Sequence, residues 1–311
     1  MNAPPWHRDA WAMLQTRRQR GAMPHALLLA GPAGLGKRDF AERLVRALLC
    51  SEPVDGDACG HCRTCQLLDA GTHPDVVRVS FGLNSKKKPR TSIVVDQVRD
   101  LSARLAMASQ LGGWQIAVID PADAMTVSAA NALLKTLEEP TSASLLMLVA
   151  DAPWRLPATI RSRCQRLDFR VPAREQALAW LGEQHVADAG VALDAAGGNP
   201  GLAKAWADAG LLAEHDQVRA DLTALAQGRA DAYSVMQRWS DERLSERLWF
   251  AAHMVAGESR ARAAHGTGVL ASRLSDDALG RWFERANRAR EALRGPLRAD
   301  LVVLDLLSHW R

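Results

Sequence analysis

Residues Ala26 to Phe40 read Ala-Leu-Leu-Leu-Ala-Gly-Pro-Ala-Gly-Leu-Gly-Lys-Arg-Asp-Phe, an apolar strand, a glycine-rich turn and the first turn of a helix. The spacing Gly31-x4-Gly36-Lys37, with Gly34 between, is that of a phosphate loop. Backbone N–H groups wrap phosphate oxygens, a helix N-terminus faces them, and one ammonium reaches the terminal phosphates. Where the motif calls for a Ser or Thr hydroxyl to hold Mg²⁺, the chain has Arg38, which cannot ligate a cation and adds a second positive charge. The loop therefore predicts a parallel α/β domain and leaves open whether it is a nucleotide engine or the frame of one.

At 311 residues the chain is long for a single core, and two or three domains are expected. Apolar residues make up 48% and charged residues 24%, an ordinary globular balance that excludes a disordered chain. A net charge of +4 is compatible with nucleic acid but equally with a solvated surface, so charge selects no function. The first ten residues lack the basic-then-apolar layout of a signal peptide. The apolar run Ala143 to Ala150 falls far short of the roughly 20 residues a membrane span needs. A cytoplasmic protein without membrane contact is expected.

Four of the five cysteines form Cys50-x8-Cys59-x2-Cys62-x2-Cys65. In a reducing compartment such a cluster favours metal over disulfides. Four thiolates on tight turns, with Asp57, Gly60 and Thr64 between them, match a closed tetrahedral Zn²⁺ site of structural type. An iron–sulfur cluster is the competing reading, although no further cysteine followed by proline appears in Gln66 to Ala70. His61 and His73 read as loop residues.

Helices are expected over Ala10 to Arg20 and Asp39 to Leu49, the latter from Phe40, Leu44, Ala47 and Leu48 at helical spacing. Val76 to Phe81 reads as a strand, Gly82 to Arg90 with Lys86, Lys87 and Lys88 as a solvated loop, and Ile93 to Val95 as a short strand. Asp96 is placed as the cap of the next helix, whose face is Val98, Leu101 and Leu105. Ile116 to Ile119 is a strand ending in Asp120, the position at which phosphate-loop ATPases organise Mg²⁺. The following residue is Pro121, so a carboxylate base has no source there. Val127 to Leu137 is a helix burying Val127, Ala130, Leu133, Leu134 and Leu137, stopped by Pro140. Strands follow at Leu145 to Val149 and Gln165 to Phe169. Helices alternating with apolar strands imply a doubly wound parallel sheet for the first half. Past Pro172 only helices are expected, among them Ala173 to Ala187 and Leu202 to Ala209 around the breaker Gly197 to Gly201, and a last one with Leu297, Leu301, Leu304 and Leu307 on one face. Trp239, Trp249, Trp282 and Trp310 are core or interface anchors.

The phosphate loop followed by a four-cysteine module, the run Asn131-Ala-Leu-Leu-Lys-Thr-Leu-Glu-Glu-Pro140 and the tripeptide Ser162-Arg163-Cys164 together resemble the clamp-loader branch of the AAA+ ATPases. The resemblance covers almost the whole chain. It implies an AAA+ ATPase-like domain over 1–167 with the zinc module at 50–65 inserted, a small helical lid over 168–209, and an all-α collar over 210–311. The implied partners are gamma/tau motor subunits and a delta subunit and, through the complex, a sliding clamp and primed DNA during replication. On spacing alone Arg163 is a surface arginine; the resemblance makes it a finger pointed at a neighbour's ATP, a role that suits an always-charged, bidentate guanidinium.

Four departures from the family pattern argue against hydrolysis: Arg38, Pro121, Ala150-Asp151 where motor subunits carry a Thr, and Asn199-Pro200-Gly201, which offers the phosphates no arginine. Gly31, Gly34, Gly36, Lys37 and Asp120 survive, which leaves weak nucleotide or phosphate binding open. The rival readings are an active gamma/tau-like ATPase and a zinc-dependent DNA-binding module, the latter disfavoured by the absence of a basic or aromatic cluster around Cys50 to Cys65.

Overall fold

A computed structural model describes residues 3–82, 90–141, 143–264, 268, 270, 272–293 and 298–310. The chain divides into two compact units, Met1–Gln176 and Ala177–Arg311.

The first unit runs α1 (Arg8–Gln19), β1 (Ala26–Ala30), α2 (Lys37–Leu49), α3 (Arg63–Asp69), β2 (Val76–Val79), α4 (Val95–Leu105), β3 (Gln115–Ile119), α5 (Val127–Glu138), β4 (Ser144–Ala150), α6 (Ala158–Arg161) and β5 (Gln165–Asp168). The five strands form one sheet in the order β2-β3-β4-β1-β5, every pairing parallel. The expected α/β class holds. A parallel sheet needs cover on both faces, and the strands alternate accordingly. Leu27 and Leu29 of β1 pack with Trp11, Leu14, Phe40, Leu44 and Val45 of α1 and α2. Ala26, Leu28 and Ala30 pack instead with Val98 and Leu101 of α4 and Leu133 and Leu137 of α5. The Leu28–Leu148 and Ala30–Ala150 register aligns the ends of β1 and β4, and β3 lies on the other side of β4. Residues that follow these three strands therefore leave the sheet side by side at its carboxyl edge, where parallel α/β folds form their binding crevices.

Local expectations differ from the structure at four points. Ile93 makes only an isolated bridge to Met125, and the chain has already turned into α4 at Val95, so no strand spans Ile93 to Val95. Asp96 lies inside the first turn of α4 rather than capping it; the side chain of Gln97 accepts the Val94 N–H at 3.1 Å instead. Val127, expected on the buried face of α5, is 75% exposed because it opens the helix just after its Thr126 cap, before the face has turned inward. The strand expected over Val76 to Phe81 stops at Val79. Lys86, Lys87, Lys88 and Leu297 lie outside the described residues.

The second unit is helical throughout its described residues: α7 (Arg174–Glu183, which begins in the first unit), α8 (Ala189–Ala195), α9 (Pro200–Asp208), α10 (Leu212–Ala226), α11 (Ala232–Trp239), α12 (Leu244–Ala263), α13 (Asp276–Ala292) and α14 (Ala299–Ser308). The short α8 was not expected. Ala177, Leu181 and Leu193 share one hydrophobic cluster with Leu222, Phe250, Trp282 and Trp310. Three nearly inaccessible tryptophans organise it, and each indole N–H is satisfied: Trp239 donates to Asp221 Oδ2 at 2.9 Å, Trp282 to the Leu306 carbonyl at 3.0 Å and Trp310 to the Leu222 carbonyl at 2.8 Å. Trp282 and Trp310 meet edge to face with centroids 5.0 Å apart. No described helix is long and apolar enough to cross a membrane.

Trp310→Ala removes the ring that joins the chain's end to α10, and is expected to destabilise this unit by about 3–5 kcal/mol. Urea unfolding followed by circular dichroism checks it; an unchanged midpoint would show that the terminus contributes nothing to the core.

Candidate phosphate-loop site and cysteine cluster

The turn after β1 is held by close backbone approaches. Gly31 has φ +149°, and a Cβ there would stand 2.1 Å from the Phe169 carbonyl oxygen. Gly36 has φ +76°, immediately before α2, and a Cβ would meet the His7 ring at 2.8 Å. Both positions require glycine. From the other side, a 3-10 turn at Pro5–His7 pins the loop: Trp6 Nε1 donates to the Leu35 carbonyl at 3.1 Å, and His7 Nε2 lies 2.7 Å from the same oxygen. The buried His7 ring packs edge-on against Phe40 and Phe169. Burial pulls its pKa below the ordinary value, the Leu35 bond opposing.

Lys37 is 2% exposed. Its ammonium donates to the carbonyls of Gly31 and Pro32, each at 2.6 Å, and pairs with Asp151 Oδ1 at 2.6 Å. The two carbonyls take two of its three protons, and Asp151 faces it as the counter-charge. Burial lowers the Lys37 pKa, and the Asp151 carboxylate opposes that shift. Beside it, the exposed Arg38 donates from Nε to Asp120 Oδ2 at 2.8 Å and from Nη2 to Asp151 Oδ2 at 3.1 Å. Burial alone would raise the Asp151 pKa; the hydrogen bonds from Lys37 and Arg38 outweigh it and hold the carboxyl below its usual range. Asp123 braces this strand end by accepting the backbone N–H groups of Asp151 and Ala152 at 3.3 and 3.1 Å. The other oxygen of Asp120, Oδ1, is buried with no hydrogen-bond partner. Two cations and two carboxylates thus form a linear ion-paired chain, Lys37–Asp151–Arg38–Asp120. No hydroxyl follows Lys37, Asp120 is engaged by Arg38, and Pro121 carries no carboxylate.

Arg163 lies in a different part of the first unit, between α6 and β5. Its side chain is 37% exposed. Nη1 donates to the Thr159 carbonyl at 3.0 Å, and Nη2 pairs at 2.6 Å with Glu138 of the Asn131–Pro140 run. Its neighbour Cys164 is buried in the sheet core, where burial pushes the thiol up to about 12. Asn131 and Lys135 are exposed on α5.

The cysteines converge as their spacing predicts. Cys50, Cys59, Cys62 and Cys65 place their sulfurs within 4.8 Å of one another, with Cys50 3.6 Å from Cys59 and 3.8 Å from Cys62. Tetrahedral coordination at a metal–sulfur distance near 2.3 Å requires sulfurs about 3.8 Å apart, so the donor set fits a metal ion. Hydrogen bonding from Ser51 pulls the Cys62 thiol down to about 5, while burial pushes Cys65 up to about 12. The module is fastened to the domain by Arg43, which grips Asp57 with two bonds of 2.7 and 2.6 Å while its guanidinium lies 3.8 Å from the centre of the Trp11 ring. His73 is buried, accepts the Asp75 N–H and stands outside the cluster. His61 approaches Cys59 together with Glu52 in an exposed second group.

The profile of the family described as "DNA polymerase III, delta subunit" matches residues 6–173. DNA polymerase III subunit delta' of Pseudomonas aeruginosa is 38% identical over 240 residues, covering 76% of this chain and 71% of its own length. The chain belongs to the delta' subunits of bacterial DNA polymerase III. The delta' subunit of Escherichia coli K12 is 34% identical over 322 residues, 97% of this chain and 93% of that one. DNA polymerase III subunit tau of Bacillus subtilis is similar over a shorter stretch, 35% identical across 47% of this chain and 24% of its own. Among solved structures, a gamma subunit-related protein of Thermotoga maritima superposes with a TM-score of 0.48 at 16% identity, over 96% of this chain and 98% of that one.

For this delta' chain, sequence reasoning brought Gly31, Gly34, Gly36, Lys37 and Asp120 to one place, and they are together. It missed Trp6 and His7, whose role depends on an N-terminal segment folding back over Leu35. It read Asp151 only as a lost threonine; a carboxylate directly after a buried strand, next to a loop carrying two cations, was the available signal. Gly31→Ala is expected to cost about 2–4 kcal/mol through strain and overlap with the Phe169 carbonyl. A urea midpoint equal to that of the parent chain would contradict the close approach.

Proposed function

We propose that this delta' chain is a non-hydrolysing subunit of a clamp-loading complex, which supports ATP-driven placement of a sliding clamp on primed DNA and donates Arg163 to an ATP held by a neighbouring subunit. The observation that carries the first half is the ion-paired chain Lys37–Asp151–Arg38–Asp120: the cations that would face phosphate are engaged by the protein's own carboxylates. The second half rests on the family resemblance and on placement. Arg163 holds Thr159 and Glu138 through its two Nη atoms while its side chain stays 37% exposed, away from the loop at the end of β1, so a neighbouring subunit's phosphate would compete with Glu138 for the guanidinium. A finger that neutralises charge on a transferring phosphoryl group is worth on the order of 10³–10⁵ in turnover.

In this reading 1–167 is the ATPase-like domain, 168–209 the lid and 210–311 the collar that meets gamma/tau motor subunits and a delta subunit. The four cysteines hold a structural Zn²⁺: all four positions are filled by thiolates, which leaves none open for chemistry.

Two measurements test these roles. In a complex reconstituted with its motor subunits, Arg163→Ala is expected to leave assembly by size exclusion intact while the site it faces loses on the order of 10³-fold in DNA-stimulated ATP turnover; undiminished turnover removes the finger. Atomic absorption of the purified chain is expected to give one zinc per molecule, lost in Cys65→Ser together with several degrees of melting temperature; iron with visible charge-transfer absorbance would instead assign a cluster.

A further inference from the structure

Lys37 and Arg38 stand where a phosphate would be bound, and each already holds an oxygen of one carboxylate: Asp151 Oδ1 at 2.6 Å from Lys37 Nζ, and Asp151 Oδ2 at 3.1 Å from Arg38 Nη2. We infer that Asp151 is a built-in anion occupying the terminal-phosphate position, so that nucleotide is kept out by this one side chain and not by any defect of the glycine cradle. The inference rests on the non-hydrolysing reading and deepens it.

The cradle itself is intact. Gly31, Gly34 and Gly36 all take positive φ values, and α2 begins at Lys37 directly behind Gly36. Thirteen residues of helix therefore aim their N-terminus at the loop. What is missing is a free cation. A nearly inaccessible ammonium must keep a charge partner or pay heavily in desolvation. Asp151 supplies that partner, and it is itself held in place by Asp123 through the N–H groups on either side of the turn. An incoming phosphate has to displace this carboxylate from Lys37 and Arg38 together, leaving Asp151 as a like charge beside it. Removing the Asp151 carboxylate leaves a buried cation with two carbonyls and no counter-ion, the arrangement a phosphate loop presents to its ligand.

Arg38 then takes a second role. With Asp151 gone, its fork keeps Asp120 at 2.8 Å and frees Nη2 for a phosphate oxygen. Asp120 stays engaged and no hydroxyl is gained, so the opened site binds a polyphosphate without acquiring turnover.

The test is titration calorimetry of the full chain with ATP and with inorganic tripolyphosphate, each without Mg²⁺ at fixed ionic strength. Asp151→Ala is expected to bind both ligands roughly 5- to 50-fold more tightly than the parent chain, the worth of one partly exposed ion pair. Asp151→Glu, which keeps the anion, is expected to bind as weakly as the parent, and Asp151→Ala with Lys37→Ala to lose the gain. Far-ultraviolet circular dichroism and melting check folding, and the isosteric Asp151→Asn, expected to show a smaller gain in the same direction, stands in where the alanine variant does not fold. No gain in either single variant, or a gain that survives Lys37→Ala, overturns the inference. Phosphate release with Mg²⁺ is read separately: turnover by the parent chain would sink the non-hydrolysing reading, whereas absent turnover with unchanged affinity would sink only the role given to Asp151.

Discussion

A buried ammonium cannot be left without a counter-charge, and Lys37 is the point on which the first unit turns. It is carried into the interior by α2, whose first residue it is, and the loop carbonyls of Gly31 and Pro32 solvate two of its protons. The third requires an anion, because the cost of an isolated buried cation runs to several kcal/mol. In a working phosphate loop that anion arrives with the substrate. Here the sheet supplies it, since β4 lies beside β1 and its next residue is Asp151. The same carboxylate tethers Arg38, which in turn tethers Asp120 at the end of β3. Three strand ends are thereby tied together by charge at the edge where backbone hydrogen bonding stops.

This arrangement follows from strand order and could not be read from linear spacing. Asp120 and Asp151 stand 82 and 113 residues from Arg38 along the chain, and only the sequence β3-β4-β1 in the sheet makes them neighbours. What was legible was local or periodic. The apolar blocks that open at Ala26 and run from Leu145 to Val149 announced buried strands, the period of Phe40, Leu44 and Leu48 announced α2, and the cysteine spacing announced convergence of four sulfurs. Failures came where tertiary partners overrode local chemistry. Asp96 has good capping chemistry, but Gln97 reaches back to Val94 from one position later and the helix opens at Val95. Ile93 looks like part of a strand because it is buried, yet it pairs with Met125 in a single bridge. His7 and Trp6 carry no motif at all; they matter because a 3-10 turn lays them over Leu35.

In the second unit the legible part was the tryptophans and the illegible part was their partners. Bulk and apolarity place Trp239, Trp282 and Trp310 inside. Burying an indole also demands an acceptor for its N–H, and the three acceptors differ in kind: a buried Asp221 carboxylate and two helix carbonyls near the ends of α10 and α14. Asp221 carries a second load, since Arg238 donates to its Oδ1 at 2.6 Å. A charged residue in a helical core thus earns its place by serving an indole and a guanidinium at once.

The glycine motif needs a different interpretation from the one its spacing invites. Gly31 is obligatory because the Phe169 carbonyl passes 2.1 Å from where a Cβ would stand, and Gly36 because His7 fills the space beside it. Both demands are made by the protein's own packing and would persist if nothing ever bound. Glycines at phosphate-loop spacing are therefore evidence for a strand–turn–helix closing against β5 and the N-terminal segment, and weak evidence for a ligand. The residues that decide chemistry are those whose side chains meet there, and the cations Lys37 and Arg38 are already engaged by Asp151 and Asp120. Arg163 shares none of these constraints. It is fixed by Thr159 and Glu138 on one side and by the burial of Cys164 on the other. Changes at the loop can thus leave this arginine in place, because none of its contacts among the described residues passes through the end of β1.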